Sequence, residues 1–281
     1  MNTRTCLMLS VLALALVASA CGTADLRPDN FKSQLTQAQR QRGAELMDQM
    51  FQAHGGLDAW QRQEKVHARF KDDWPNWLFF QITPYEDNNA QASLEAYLHH
   101  FPHSRIEFLE GEAKGEVWMA TGDDIHRLKD GHLKRHRVDE DAFFSVFVQN
   151  PEMMVGVMFR LASADQVTYV GTRQWQGKPY EVVMLSWGSF DPNQKIDQWL
   201  LYIHPETGRL EATEFTVRLS GASQVGFYHY RDFKEVQGML LPHRMDAYLS
   251  KDDDDPVHTY RFEDMTFSQR GDRTASPSAA R

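Results

Sequence analysis

Residues 198–249 read QWLLYIHPETGRLEATEFTVRLSGASQVGFYHYRDFKEVQGMLLPHRMDAYL, and the texture of this stretch decides the fold. Residues 198–203, 210–219, 226–236 and 240–249 are runs of aromatic and branched side chains, and His204-Pro205-Glu206-Thr207-Gly208 and Gln237-Gly238 supply turn chemistry between them. Thr213, Phe215, Val217 and Leu219 alternate with Glu214, Thr216 and Arg218. That period of two predicts antiparallel strands with one wet face.

Working outward, the same pattern predicts strands at 167–170, 180–187 and 257–267, and at 66–70, 77–82, 94–101, 105–109, 117–120 and 125–128. Gly122-Asp123-Asp124, Lys129-Asp130-Gly131 and Gln176-Gly177-Lys178 mark turns. Two segments break the pattern. From Ser33 or Thr36 to His54, the residues Ala44, Leu46, Met47, Met50, Phe51 and His54 fall on one helical face, and Gly55-Gly56 stands where a C-capping glycine belongs. A short second helix over 57–61 would carry Trp60 into the core. Over 139–161, acidic Asp139, Glu140 and Asp141 suit a helix N-terminus. Phe143, Phe144, Phe147, Val148, Met153, Met154, Val155, Val157, Met158 and Phe159 then make the segment apolar nearly all round. Asn150-Pro151 reads as an N-cap followed by proline at the first helical position, which predicts two helices meeting at an elbow. Many short antiparallel strands with few helices make the fold mainly β (α+β): an incomplete antiparallel β-barrel or strongly curved sheet enclosing, or capped by, a few helices.

The N-terminus carries an address. Arg4 is followed by the apolar run 6–17 and by Ala18-Ser19-Ala20-Cys21-Gly22, the layout of a secretory signal too short to span a bilayer permanently. Small residues directly before a cysteine resemble the bacterial lipobox, although Ala18 stands where leucine is most usual. The expectation is cleavage after Ala20 and lipidation of Cys21. An ordinary signal peptide with Cys21 incidental is the alternative. Cys6 leaves with the signal, so the mature chain would keep Cys21 as its sole cysteine, with no internal disulfide. Gly22, rather than Asp, after the cysteine points to the outer membrane in a Gram-negative cell. The expected organisation is a signal peptide at 1–20, a polar tether at 21–32, one domain at 33–267 and a disordered tail at 268–281.

The chain has a net charge of −9, and losing Arg4 makes it one unit more acidic. That argues against nucleic acid as a partner and against charge-driven binding to anionic lipid heads. Among motifs, no G-x-S-x-G, P-loop or H-E-x-x-H occurs and no cysteine pair is available, so no catalytic residue, cofactor or metal is assigned and the protein is read as a non-enzyme. His99, His100 and His103 form the densest histidine group, but the adjacent His99 and His100 would point to opposite faces of a strand and His103 follows Pro102, where a turn is expected, so a solvated strand end is favoured over a metal site. The hairpin HRLKDGHLKRHR at 126–137 is basic within an acidic chain. It is either a solvated ribbon or a contact for an anionic head group or a partner. Asp252 to Asp255 lacks the ligand spacing of a calcium loop and is read as a hairpin tip. The Phe/Met-rich elbow is either plain core or, with Phe143, Phe144, Phe147, Met153, Met154, Met158 and Phe159 as its lining, an adaptable apolar cavity.

Several landmarks resemble one family. They are Ala53-His54-Gly55-Gly56-Leu57 followed by Trp60; 159–162 with Val167-Thr168-Tyr169-Val170-Gly171; Gly177-Lys178-Pro179-Tyr180 with Val182-Val183; 201–210; and Gly238-Met239-Leu240-Leu241-Pro242. Together, over roughly residues 40–267, they resemble the lipoprotein-carrier-like (LolA/LolB-type) superfamily of periplasmic proteins and exported proteins related to it. The resemblance implies an incomplete barrel curved around helices, with an apolar cavity for acyl chains and no enzymatic activity. No ligand-contacting residue is carried over by motif. The expected function is that of a lipid-anchored, periplasm-facing lipoprotein that binds a lipid or lipoprotein acyl chain. Alternatives are an interaction lipoprotein docking an envelope partner through the basic hairpin and a metal-dependent periplasmic enzyme using the 99–103 histidines.

Overall fold

The computed structural model describes residues 23–29, 31, 35–138, 140–218 and 224–269. Cys21 and its surroundings, and all but the first two residues of the expected tail, lie outside them.

Thirteen strands form one antiparallel sheet: β1 (Gln63–Asp73), β2 (Gln91–Tyr97), β3 (His103–Phe108), β4 (Val117–Thr121), β5 (Asp124–Lys129), β6 (His132–Arg137), β7 (Gln166–Trp175), β8 (Lys178–Ser186), β9 (Gln198–Ile203), β10 (Leu210–Val217), β11 (Gln224–Val236), β12 (Met239–Tyr248) and β13 (His258–Gln269). Their order across the sheet is β6-β5-β4-β3-β2-β1-β13-β12-β11-β10-β9-β8-β7. Every neighbour is sequential except the central β1–β13 pair, which joins the two halves (Phe70 opposite Phe262, Asp72 opposite Tyr260). The sheet is strongly curved and does not close, because β6 and β7 remain as edges. This is the incomplete barrel expected from the strand pattern.

The inner face holds the main core. Val66, Ala68 and Phe70 of β1, Leu94 of β2, Trp118 of β4, Leu201 of β9 and Tyr260 of β13 meet helices there. Helix α1 (Gln37–Ala53) begins at Thr36, whose hydroxyl accepts from the Gln39 N–H while the Gln39 side chain reaches back to the Thr36 N–H. This reciprocal cap satisfies two donors a helix start leaves open. Gly43 allows α1 to lie against β7: a Cβ there would sit 2.9 Å from Thr168 backbone carbon. Helix α2 (Leu57–Gln61) delivers Trp60, 1% exposed, into the core, worth roughly 1.5–3 kcal/mol for a large apolar side chain.

Three sequence expectations fail here for local reasons. Residues 77–82 are not a strand. Asn76 accepts from the Leu78 N–H at 2.9 Å and starts a one-turn helix, α3 (Trp77–Phe80), as a side-chain cap competes with a ladder. The break in the 139–161 segment falls at Gly156 rather than at Asn150-Pro151. Pro151 lies buried inside α4 (Ala142–Val155), and α5 (Val157–Ala162) follows. Ser268 and Gln269, placed in the tail by composition, complete β13.

The outer face is also not uniformly wet. Over β7–β12, Trp175, Tyr180, Val182, Met184, Leu200, Tyr202, Ala212, Phe227 and Tyr248 form a second buried cluster, and Thr216, expected on a solvated face, is 2% exposed. Part of its cover comes from the residues expected to be a tether. The Leu26 N–H donates to Gln198 Oε1 at 2.7 Å, Leu26 is 7% exposed, and Phe31 meets Phe190 edge-on at 5.6 Å.

Candidate functional site

Helix α4 is the feature around which a site is organised. Its N-cap, Asp141, accepts from the Phe144 N–H at 3.1 Å. Phe144 then packs edge-on against Trp118 at 5.0 Å, and Phe147 lies 5.9 Å from Trp74 and 5.6 Å from Tyr85. Thus the first two turns bury their aromatic face against β4 and the β1–β2 connection. Farther on, Met154 and Met158 are each 1% exposed. In α5, Phe159 stands between Trp60 at 5.9 Å and His99 at 5.0 Å.

One charged side chain interrupts this largely apolar helix. Glu152 is 2% exposed and its carboxylate accepts the His103 backbone N–H at 3.0 and 3.1 Å. Burial pushes its pKa up to about 7, against the lowering effect of the His103 N–H and the Ser104 hydroxyl. Glu152 therefore pins the last turn of α4 to the start of β3 in a proton-sensitive way. A lone glutamate in an apolar helical run was the available sequence signal, and periodicity alone passes over it.

A cleft of about 290 Å³ opens beside the N-terminal end of α4. Phe143 and Phe144 form one wall, Ile82, Thr83 and Pro84 a second, and Arg127, Lys134 and His136 of the β5–β6 hairpin a third, with Asp141 at the helix start. Phe143 is 50% exposed, and Trp77, Leu78 and Ile82 in the β1–β2 connection are also exposed. His136 Nδ1 lies 3.1 Å from Asp141, whereas its Nε2 is buried without a partner. Arg127 is held by Glu116 at 2.6 Å.

Of the seven side chains expected to line a cavity, only Phe143 and Phe144 border this cleft. Phe147, Met154 and Met158 are buried beneath the helices, and Met153 and Phe159 are half-buried within the same core. Ile82, Pro84 and Arg127 were not singled out from sequence. The cap at Asn76, which turns residues 77–80 away from a strand, is the signal that places Ile82 at the rim.

The histidines of 99–103 occupy separate positions. His99 Nε2 is 2.8 Å from the Gln63 carbonyl oxygen, and His103 stacks on Tyr97 at 4.4 Å. Among the described residues no group of three or more His, Cys, Asp or Glu side chains is arranged to hold a metal, and no helix is long and apolar enough to cross a membrane.

A curved, open antiparallel sheet cupping apolar helices defines the class: a LolA-like lipoprotein-carrier fold. Solved structures share it. A LolA superfamily protein from Nitrosomonas europaea matches with a TM-score of 0.51 at 12% identity, covering 82% of this chain and 95% of that one. A putative outer membrane lipoprotein-sorting protein domain from Vibrio parahaemolyticus matches with a TM-score of 0.50 at 12% identity, covering 81% and 93%. A DUF1329 family protein from Desulfovibrio piger matches with a TM-score of 0.53 at 10% identity, covering 84% and 95%. No family model matches the sequence, and no curated protein matches it. The similarity is one of fold.

Proposed function

We propose that this protein is a lipid-anchored lipoprotein of the bacterial envelope that binds a lipid or a lipoprotein acyl chain without catalysing a reaction. The observation that carries this reading is the juxtaposition of an exposed apolar rim (Phe143, Ile82) with the Phe/Met core beneath α4 and α5. Solvent-exposed aromatic and aliphatic side chains at a cleft mouth are stabilised by an apolar ligand. The cleft is near the lower end of ligand-pocket volumes, so a long chain is accommodated by α4 rising. The thioethers of Met153, Met154 and Met158 then repack around it. The Vibrio neighbour, a putative outer membrane lipoprotein-sorting protein domain, is in keeping with this chemistry.

The anchor is Cys21, which the lipobox-like sequence assigns and which puts the domain beside the membrane that holds its ligand. Protein purified from its native membrane, denatured and extracted, should release a stoichiometric lipid detectable by mass spectrometry, and a fluorescent fatty acid should bind the delipidated form. Absence of both would overturn the binding reading. Separately, Cys21→Ser should abolish acyl labelling and membrane retention; an unchanged membrane fraction would overturn the anchor.

A further inference from the structure

The three walls of the cleft differ in chemistry in a way that acyl-chain binding alone does not require. Two are apolar, formed by Ile82 and Pro84 and by Phe143 and Phe144, while the third presents Arg127, Lys134 and His136. The protein as a whole is acidic at −9, so cations gathered at one apolar mouth are set against the general charge of the molecule.

The ion pairs narrow the field. Arg127 is neutralised by Glu116 at 2.6 Å and faces Glu86 at 3.7 Å; Lys129 is bonded to Glu86; Arg135 pairs with Asp124 at 2.6 Å. Lys134 makes no ion pair among the described residues, and its side chain is exposed at the cleft. His136 gives its Nδ1 side to Asp141, and its unpartnered Nε2 is the atom left for a ligand. In the imidazolium form both ring nitrogens carry hydrogens, so Asp141 and an incoming anion would be held on opposite sides of one ring. A buried polar atom without a partner costs about 1–3 kcal/mol, which an anionic oxygen at that position would relieve.

We propose that the cleft receives the anionic head group, a phosphate ester or carboxylate, of a single-chain amphiphile whose apolar part lies along Ile82 and Phe143. Lys134 and His136 Nε2 bind the anion. This inference rests on the lipid-binding reading and adds the head-group class to it. Charge selects the ligand at the mouth, and the apolar wall supplies the affinity common to every chain.

The test is titration calorimetry below the critical micelle concentration with three lipids of the same acyl chain: lysophosphatidylglycerol (anionic), lysophosphatidylcholine (zwitterionic) and monoacylglycerol (neutral). The full-length delipidated protein should bind the anionic lipid at least ~10-fold more tightly than the neutral one, and 0.5 M salt should shrink that ratio because exposed charges are screened. Lys134→Glu, an exposed substitution, should bring the ratio near one. Phe143→Ser should weaken all three lipids by a similar factor. Glycerol phosphate without a chain should bind at least ~100-fold more weakly than the lysolipid.

Equal affinity for the three lipids, or an undiminished ratio in Lys134→Glu, would overturn the head-group assignment and leave lipid binding standing. Equal affinity for glycerol phosphate and the lysolipid would also overturn it, by assigning the cleft to a free phosphate ester. Absence of binding by all three lipids would overturn both readings.

Discussion

The imidazole of His54 holds Leu210 in place: its Nε2 accepts the Leu210 backbone N–H at 3.1 Å, while Nδ1 lies 2.7 Å from the Leu240 carbonyl oxygen. Fully buried, His54 thereby joins the end of α1 to the starts of β10 and β12. Accepting at Nε2 requires the neutral ring with its hydrogen on Nδ1. Burial lowers its pKa below 6.5, opposed by the Leu240 carbonyl and reinforced by Arg209. The unfolded chain then binds the proton more readily than the folded one, so this contribution is complete above pH 6.5 and declines as pH falls through and below that value. His54→Ala should cost about 3 kcal/mol, from two stranded backbone groups and a cavity. Relative to the wild type, the variant's urea midpoint should rise on going from pH 7.5 to 5.5, because the loss of stability that His54 contributes on acidification is gone.

Glu152 has the opposite sign. Its pKa is raised from 4.5 to about 7, so the folded protein binds the proton more readily. The stability associated with the neutral acid is fully present below pH 4.5 and is lost as pH rises toward and through about 7. Glu152→Gln keeps an acceptor for the His103 N–H and removes the buried charge. At pH 8 the substitution should stabilise the protein by ~3 kcal/mol, judged from a rise of 4.5 to about 7 at about 1.4 kcal/mol per pKa unit, and at pH 4.5 it should be near neutral. Because His54 and Glu152 oppose each other between pH 5 and 7, the wild-type profile should be flatter than that of either variant. A Glu152→Gln profile parallel to the wild type would contradict the assignment.

The contrast between these residues explains what was legible in advance. The framework was: the alternation over 198–249, the cap at Thr36 and the glycines after α1 are local signals, and local signals set element type. His54 fell on the buried helical face, yet its partners at 210 and 240 lie more than 150 positions away, beyond any periodicity. The missed α3 and the break at Gly156 turn on single backbone choices, an Asn76 cap and a proline tolerated inside a helix whose burial outweighs the lost bond. The cleft was least legible because its walls come from three distant segments: the β1–β2 connection, the β5–β6 hairpin and α4. The basic hairpin and the Phe-rich helix are each legible in the sequence, and only the fold joins them.

Gly55 offers a test of close backbone approach. Its φ of +99° is costly for any side chain, and a Cβ there would lie 2.3 Å from the Gly238 carbonyl oxygen. Gly115 also has positive φ, +83°, but nothing stands within 4 Å of its notional Cβ. Gly115→Ala should therefore cost only the conformational term, about 1–2 kcal/mol. Gly55→Ala must in addition separate α1 from the β11–β12 turn and should cost more than about 3 kcal/mol, as strained overpacking does. Equal thermal shifts in the two variants would show that the approach at Gly238 relaxes freely.

Residues 24–27 pack onto the folded unit, and this bears on how the proposed Cys21 anchor would hold the domain. Leu26 donates its N–H to Gln198, Arg27 reaches Asp191 at 2.7 Å, and the Ala24 carbonyl accepts from Arg218 at 3.0 Å. Gln198 is itself fully buried, and its amide also donates to Asp25 and to the Phe190 carbonyl. Removing Leu26 exposes the outer-face aromatics, so Leu26→Ser should destabilise by ~2 kcal/mol, whereas a freely solvated spacer would show no change. The polar contacts of Asp25 and Arg27 are partly exposed and contribute less; Arg27→Ala should cost below about 1 kcal/mol. With Cys21 lipidated, few residues separate the acyl anchor from Ala24. Inserting a Gly/Ser linker of about ten residues after Gly22 should then leave thermal stability and Leu26 protection unchanged while increasing the distance from domain to bilayer measured by fluorescence quenching. If the insertion instead lowers stability as much as Leu26→Ser, the docking of this segment depends on its neighbours toward the anchor and not on the Gln198 contact.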